Sequence, residues 1–306
     1  MSKILALVAG LAAFAALATT ALAADPAPPA TTPFPASSVG PIFIAGQTVN
    51  TTGAMASAFA PGSTVVFRAY AVDTKTGKGL VAKDSKYFYV TIPGQPNVKM
   101  KYDPTAPGAT KRMPWTGAWT VPTAYAAGIV DFKILAKATS KRSGSFVQIP
   151  VATSQLTISS TALVPFGPGP SSAVPAADKF SLGIYVDTVN GTGPVGAAKR
   201  LVGCAQTNVF KRGEQVVFRV WGFDLKSGDT LSTDNVDTAT VVVPGVATPL
   251  TLNYGAHGAT GAKVWFWSSP WIVPADYPLG DVPARVAFKT DAGQTGTFDY
   301  GITIVP

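Results

Sequence analysis

The sequence predicts an all-β protein built as two tandem antiparallel β-sandwiches. The mature chain is written twice, its apolar runs are short and broken by Gly and Pro turns, and no segment carries the long period of an amphipathic helix. Val65-Val66-Phe67-Arg68-Ala69-Tyr70, followed by Asp73-x-Lys75-Thr76-Gly77, returns as Val216-Val217-Phe218-Arg219-Val220-Trp221, followed by Asp224-x-Lys226-Ser227-Gly228. The offset is 224 − 73 = 151 residues. Trp115-x-x-x-Trp119-x-Val121-Pro122-x-x-Tyr125-x-x-Gly128 returns as Trp267-x-x-x-Trp271-x-Val273-Pro274-x-x-Tyr277-x-x-Gly280, at 267 − 115 = 152. A unit of this size is a whole domain copied, since solenoids and propellers repeat at about 20–50 residues.

The N-terminus combines Lys3, an apolar run from Ile4 to Ala18 and the A-x-A site Ala21-Leu22-Ala23. Residues 1–23 therefore read as a secretory signal peptide, and the protein is expected to be secreted or periplasmic, with no transmembrane segment once the signal is cleaved. Residues 24–40, rich in Pro, Ala, Ser and Thr, read as an extended spacer. Residues 41–160 form the first sandwich and 180–306 the second. Between them, 161–179 hold the Pro/Gly/Ser linker around Pro165, Pro168, Pro170 and Pro175, because proline at this density cannot donate to a ladder.

The elements follow from period-2 alternation bounded by turn residues. In 64–72, Val65, Phe67 and Ala69 share one face and Val66, Arg68 and Tyr70 the other; 215–223 repeats the pattern. Tyr87–Ile92 ends at Pro93-Gly94, and its copy Thr238–Val243 ends at Pro244-Gly245. Short strands are expected at Val98–Tyr102 and Pro249–Tyr254, then the tryptophan strands, then Ile129–Ala136 and Val282–Phe288. Closing strands fall at Gln155–Ile158 and Gly301–Val305. About seven strands per repeat make a two-sheet sandwich.

Trp119-x-Val121-Pro122 with Gly128, and Trp271-x-Val273-Pro274 with Gly280, resemble the strand-turn-strand before the penultimate strand of bacterial immunoglobulin-like domains. The resemblance covers both repeats and implies tandem immunoglobulin-like sandwiches. The Tyr usual after that Gly is replaced by Ile129-Val130 and Asp281-Val282, and no cysteine pair is present, so it implies an architecture only.

Signatures of catalysis are missing. His257 is the only histidine and reads as a solvated loop residue, and no nucleophile elbow, Walker loop or dinucleotide fingerprint occurs. The chain is expected not to be an enzyme and to need no cofactor. Cys204 is the single cysteine, which excludes an intramolecular disulfide; it reads as a small buried residue, with an intermolecular bond or reactive thiol as alternatives.

Three groups of residues are candidates for binding. Trp265, Trp267, Ser269 and Trp271 share a strand face, as do Met113, Trp115, Gly117 and Trp119; exposed, Trp265 and Trp267 would form a carbohydrate platform, and buried they would be core. Pro270 beside them argues for an edge or a bulge. The second group is a charge reversal: Lys78, Lys83 and Lys86 match Asp229, Asp234 and Asp237 at the 151 offset. Such loops could join copies of the chain head to tail, while the three aspartates, with Asp224, are also a calcium candidate. The third is a basic patch of Lys111, Arg112, Lys137, Lys141 and Arg142 near a hairpin tip. Residues 41–160 hold 13 Lys and Arg against 4 Asp and Glu, a net +9, whereas 180–306 hold 9 against 10, a net −1.

Arg68 with Tyr70, and Arg219 with Trp221, read as outer-face pairs with cation-π contacts. An insertion of about 11 residues before Phe210 carries Cys204 into the second repeat. The expected function is that of an exported structural or binding protein of the cell envelope or extracellular space, self-associating or binding a protein partner. Alternatives are a carbohydrate-binding accessory module and a subunit of a larger complex. Anionic polysaccharide or an envelope surface suits the basic repeat; nucleic acid does not, as stacking aromatics are missing there.

Overall fold

The computed structural model describes residues 40–106, 112–148, 150–162, 169, 180–193, 203–257 and 263–306. The signal peptide, the spacer before Gly40, nearly all of the linker, Lys111 and much of the insertion before Phe210 lie outside the described residues.

The first repeat contains β1 (Ile42–Val49), β2 (Ala58–Phe59), β3 (Thr64–Asp73), β4 (Lys78–Gly79), β5 (Ser85–Thr91), β6 (Val98–Lys99), β7 (Lys101–Tyr102), β8 (Trp115–Thr120), β9 (Gly128–Ile129), β10 (Lys133–Ala138), β11 (Ser143–Val147) and β12 (Thr157–Ile158). The second contains β13 (Leu182–Asn190), β14 (Val209–Lys211), β15 (Gln215–Asp224), β16 (Val236–Val242), β17 (Leu250–Thr251), β18 (Asn253–His257), β19 (Val264–Ile272), β20 (Gly280–Thr290) and β21 (Thr295–Val305). Among the described residues there is no α-helix.

Each repeat is a two-sheet antiparallel sandwich. In the first, β1-β3-β8-β7, with β4 on β3, form one main sheet and β11-β10-β5-β6 the other, while β2-β12-β9 form a small third sheet; in the second, β13-β15-β19-β18 oppose β14-β21-β20-β16-β17. The strand order is the A-B-E-D and G-F-C order of the immunoglobulin-like sandwich. Each repeat also has a short strand lying parallel to the closing one, β2 against β12 and β14 against β21. The chain is thus a tandem of two immunoglobulin-like β-sandwiches.

The runs Val98–Tyr102 and Pro249–Tyr254 each cross between sheets instead of staying in one. Met100 and Leu252 are buried, and each donates a last backbone hydrogen bond to the sheet being left, at Phe88 and Ala239 (both 2.9 Å). One apolar side chain among polar neighbours pins the crossing. Strands β1, β2, β4, β11, β13 and β14 are additions to the sequence reading.

The strands β1, β3, β13 and β15 are buried along both faces, which a sheet of an isolated two-layer sandwich is not. The reason is that the two repeats press these sheets together. Phe43 meets Phe223 at 5.8 Å between ring centroids, Tyr70 meets Phe298 at 5.5 Å, and Phe146 meets Tyr185 at 5.8 Å. The buried apolar residues of both repeats form one continuous cluster. Gly183 leaves room there, because a Cβ would lie 2.8 Å from Leu225 of its own repeat and 3.1 Å from the Phe43 ring of the other.

The open edge of β13 is covered by the first repeat at Ile184 and Val186, while Thr188 and Asn190 pair with residues 204–207 of the second. Tyr70 Oη bonds the carbonyl of Ile184 and accepts its N–H at 3.2 Å, and Gln47 Nε2 donates to Val186 O at 2.6 Å. A strand edge satisfied in this way is closed to pairing with other chains.

Arg68 and Arg219 are consequently not outer-face residues; both are buried, 3% exposed. Arg219 donates to Asp187, Nε to Oδ1 at 2.7 Å and Nη2 to Oδ2 at 2.6 Å, while Arg68 Nε donates to Gln47 Oε1 at 2.9 Å. Burial works to lower the Arg219 guanidinium, but the charge and hydrogen bonds of Asp187 outweigh it and hold the group above its ordinary value. Burial lowers Arg68, which has only the weaker pull of Tyr300 and Tyr185 against it. The hydroxyl of Tyr185 is pushed up, first by burial and then by Asp187.

Candidate functional site

The recurring tryptophans shape the loops that follow β3 and β15. Trp115 Nε1 donates to Leu80 O and Trp267 Nε1 to Leu231 O, each at 2.8 Å. Each indole, buried between the sheets, thereby anchors a loop backbone from below. In the first repeat the anchored loop forms the wall of a cleft of about 560 Å³.

Lys78, Lys83, Tyr102, Arg112, Thr139 and Phe180 line this cleft, and five separate segments bring them together. Lys78 sits on β4 behind a tight turn in which Asp73 Oδ1 accepts the N–H groups of Lys75 and Thr76, both at 3.1 Å. Gly77 closes that turn with φ of 68°, a left-handed conformation that suits glycine. Lys83 lies in a short 3₁₀ turn, Ala82–Asp84. The tip of the β10–β11 hairpin is tied to that turn by Thr139 N–H to Asp84 O at 2.9 Å. Tyr102 ends β7, rests edge-on against Trp115 at 5.4 Å and stays 37% exposed.

The start of the second repeat supplies the remaining wall. Phe180 N–H donates to Gly77 O at 2.7 Å, and its ring stacks on Tyr70 at 6.0 Å. Arg112 lies beneath, with its guanidinium carbon 5.1 Å from the Phe180 ring centre and 4.8 Å from that of Phe298. Its Nη2 donates to Thr297 O at 2.6 Å, while Nε and Nη1 have no partner among the described residues.

Burial lowers the Arg112 guanidinium; Tyr70 and Asp299 pull it back and Arg285 lowers it further. Asp299 is itself committed to Arg285, at 2.5 Å to Nε and 3.2 Å to Nη2. Among the described residues Arg112 is thus a buried cation without a carboxylate of its own, and it lines the cleft. Two carboxylates also line the cleft: Asp73, which is ion-paired with Arg142, and the exposed Asp84.

The predicted site residues separate accordingly. Lys78, Lys83 and Arg112 meet at the cleft, while Lys86, Lys137, Lys141 and Arg142 do not line it. Arg112 is only 5% exposed, so it is no part of a surface patch; the rings of Phe180 and Phe298 cover it. Lys86 and Lys141 are exposed and Lys137 is half-buried. Asp229, Asp234 and Asp237 are all exposed, and Asp237 accepts from Lys289 Nζ at 2.6 Å. The three do not converge as a calcium site: among the described residues no group of three or more His, Cys, Asp or Glu could hold a metal. They are spread over a turn, a loop and a strand.

Trp267 is buried, 5% exposed, so a two-tryptophan platform does not form. Its face points between the sheets, against Phe288 at 5.6 Å. Trp265 is half-buried against Tyr254 at 5.5 Å, and Trp115, Trp119 and Trp271 are core. The β18 ladder stops opposite Ser268, so Pro270 faces an open side and breaks no bond there.

Cys204 is exposed and adopts φ of 59°, and its carbonyl accepts a hydrogen bond from Thr153 Oγ1 at 3.0 Å. His257 is a strand residue stacked on Phe266 at 4.0 Å, with Nε2 at 3.4 Å from Ser268 Oγ. Cys204 depends on a neighbour distant in sequence, whereas His257 is placed by the adjacent strand β19.

No family model and no curated protein matches the chain. Among solved structures it is similar to the fibronectin(III)-like modules of Clostridium thermocellum CbhA, at 13% identity over 81% of this chain and 89% of that one, with a TM-score of 0.20. It is also similar to the Bacteroides ovatus protein SGBP-B of the mixed-linkage glucan utilization locus, in complex with a mixed-linkage heptasaccharide: 11% identity, 84% and 44% coverage, TM-score 0.19. The C-terminal domain of the Streptococcus agalactiae AgI/II polypeptide BspA matches at 8% identity, 86% and 100% coverage, TM-score 0.20. At these scores the likenesses say nothing about what this chain binds. Among the described residues, no helix is long and apolar enough to cross a membrane.

Proposed function

We propose that the protein is an exported, non-enzymatic binding protein whose recognition site is the cleft of the first repeat. The observation that carries this reading is the convergence of Lys78, Lys83 and the buried, uncompensated Arg112 on one cavity of about 560 Å³. Cavities of about 300–1,000 Å³ with a few convergent polar groups are the usual form of small-ligand sites. The joined sandwiches supply a rigid frame, and the loops supply the contacts. The leader read at residues 1–23 supports export.

The test is a glycan and peptide array probed with the wild type and with Lys78→Ser/Lys83→Ser. Both lysines are exposed, so the fold should survive the change. Array signals that the double variant loses support the reading; signals unchanged in the variant overturn it.

A second reading is association of copies through the oppositely charged loops. It is favoured by the exposure of Lys78, Lys83, Lys86, Asp229, Asp234 and Asp237. Light scattering should then show assemblies at low salt that dissolve as salt rises. A monomer at low salt removes this reading and leaves the first intact.

A further inference from the structure

Resting on the reading of the cleft as a binding site, we infer that its ligand is an acidic saccharide, a short oligomer bearing uronic acid carboxylates. The lining divides into three kinds of group, and each matches a different part of such a molecule. Lys78 and Lys83 place mobile ammonium groups at the cleft, and Arg112 adds a fixed positive charge beneath it. That charge is screened little, because the guanidinium lies among the rings of Phe180 and Phe298 and not in water.

An anion in the cleft would bring the negative charge that Arg112 does not obtain from Asp299, which is held by Arg285. Nε and Nη1 have no partner among the described residues and are covered from the cleft, so the cation acts on an anion there through its field. Simple attraction of any polyanion does not account for the rest of the lining. Asp84, Thr139 and Ser140 also line the cleft. A carboxylate is a poor neighbour for a polyacidic peptide, but it is a natural acceptor for sugar hydroxyls, as the two side-chain hydroxyls are.

Tyr102 completes the set. Its ring is held edge-on by Trp115 yet 37% exposed, so it presents an apolar surface in one orientation at little further entropy cost. A pyranose ring stacks on such a surface, whereas an inorganic anion gains nothing from it.

The experiment is calorimetric titration of the whole mature chain with trigalacturonate, with uncharged maltotriose and with a poly-aspartate peptide. Trigalacturonate is expected to bind, to weaken as ionic strength rises, and to lose tenfold or more in affinity in Lys78→Ser/Lys83→Ser. Tyr102→Ala should also weaken it by several-fold while leaving the salt dependence unchanged. Arg112→Met tests the buried charge, and the lysine and tyrosine variants carry the test should that variant not fold. Poly-aspartate binding that needs the two lysines, without trigalacturonate binding, overturns the saccharide assignment and leaves the cleft as a binding site. Binding of maltotriose equal to that of trigalacturonate overturns the role of the charges. Absence of trigalacturonate binding in the wild type overturns the inference outright, whatever the array shows.

Discussion

Asp187 and Gln47 occupy matching places opposite the two buried arginines, and only Asp187 carries a charge. The registers pair Gln47 with Arg68 and Asp187 with Arg219, so the duplication kept the cation and changed its partner. The second repeat holds a full ion pair in the interface between sandwiches, and the first holds a cation with a neutral amide.

Removing the charge of Asp187 should therefore cost more than removing the side chain of Gln47. Asp187→Asn leaves Arg219 buried without a counter-charge, an effect of about 3–5 kcal/mol. Gln47→Ala removes a hydrogen bond to Arg68 and another to Val186, about 1–3 kcal/mol. Urea midpoints of the two variants against the wild type give the comparison; equal shifts would refute the distinction.

The two repeats should unfold as one unit. The faces that meet include Phe43, 1% exposed, and Phe223, 0% exposed, and they share one core. Scanning calorimetry is expected to show a single transition. Phe43→Ala should destabilise by about 3–5 kcal/mol and begin to separate two transitions. Two well-resolved transitions in the wild type would mean that the interface contributes little.

The indole hydrogen bonds of the two loops can be deleted separately. Trp115→Phe strands the carbonyl of Leu80, and Trp267→Phe that of Leu231, each expected to cost about 1–3 kcal/mol. Only Trp115→Phe should also loosen ligand binding, since Leu80 belongs to the cleft wall. Parallel loss of binding in both variants would break the link between this anchor and the cleft.

Stability should fall in mildly acidic solution because of His257. Burial, and secondarily the positive charge of Arg219, holds its imidazole below the ordinary value of 6.5. As pH drops below that value the unfolded chain takes up a proton that the folded chain resists, so folding loses free energy down to the depressed folded value. Denaturant midpoints on either side of that value, for the wild type and for His257→Phe, test this. The variant should lose less stability on acidification, and an identical loss would assign the effect to other groups.

The duplication, the all-β class and most strands are legible in the residues alone, because period-2 alternation and Gly/Pro punctuation are local signals that each copy repeats. Lys78, Lys83 and Arg112 also stand out there, through a charge reversal and a basic cluster. What these residues face is set by the packing of the two repeats. Arg68, Tyr70, Arg219 and Trp221 lie on the outer face of a sheet within their own repeat, and only the other repeat makes that face an interior. Arg112 reads as a surface cation until Phe180 and Phe298, residues of the second repeat, close over it. Alternation says that two faces exist, but burial of the second face depends on contacts far apart in the chain, and no local pattern encodes them.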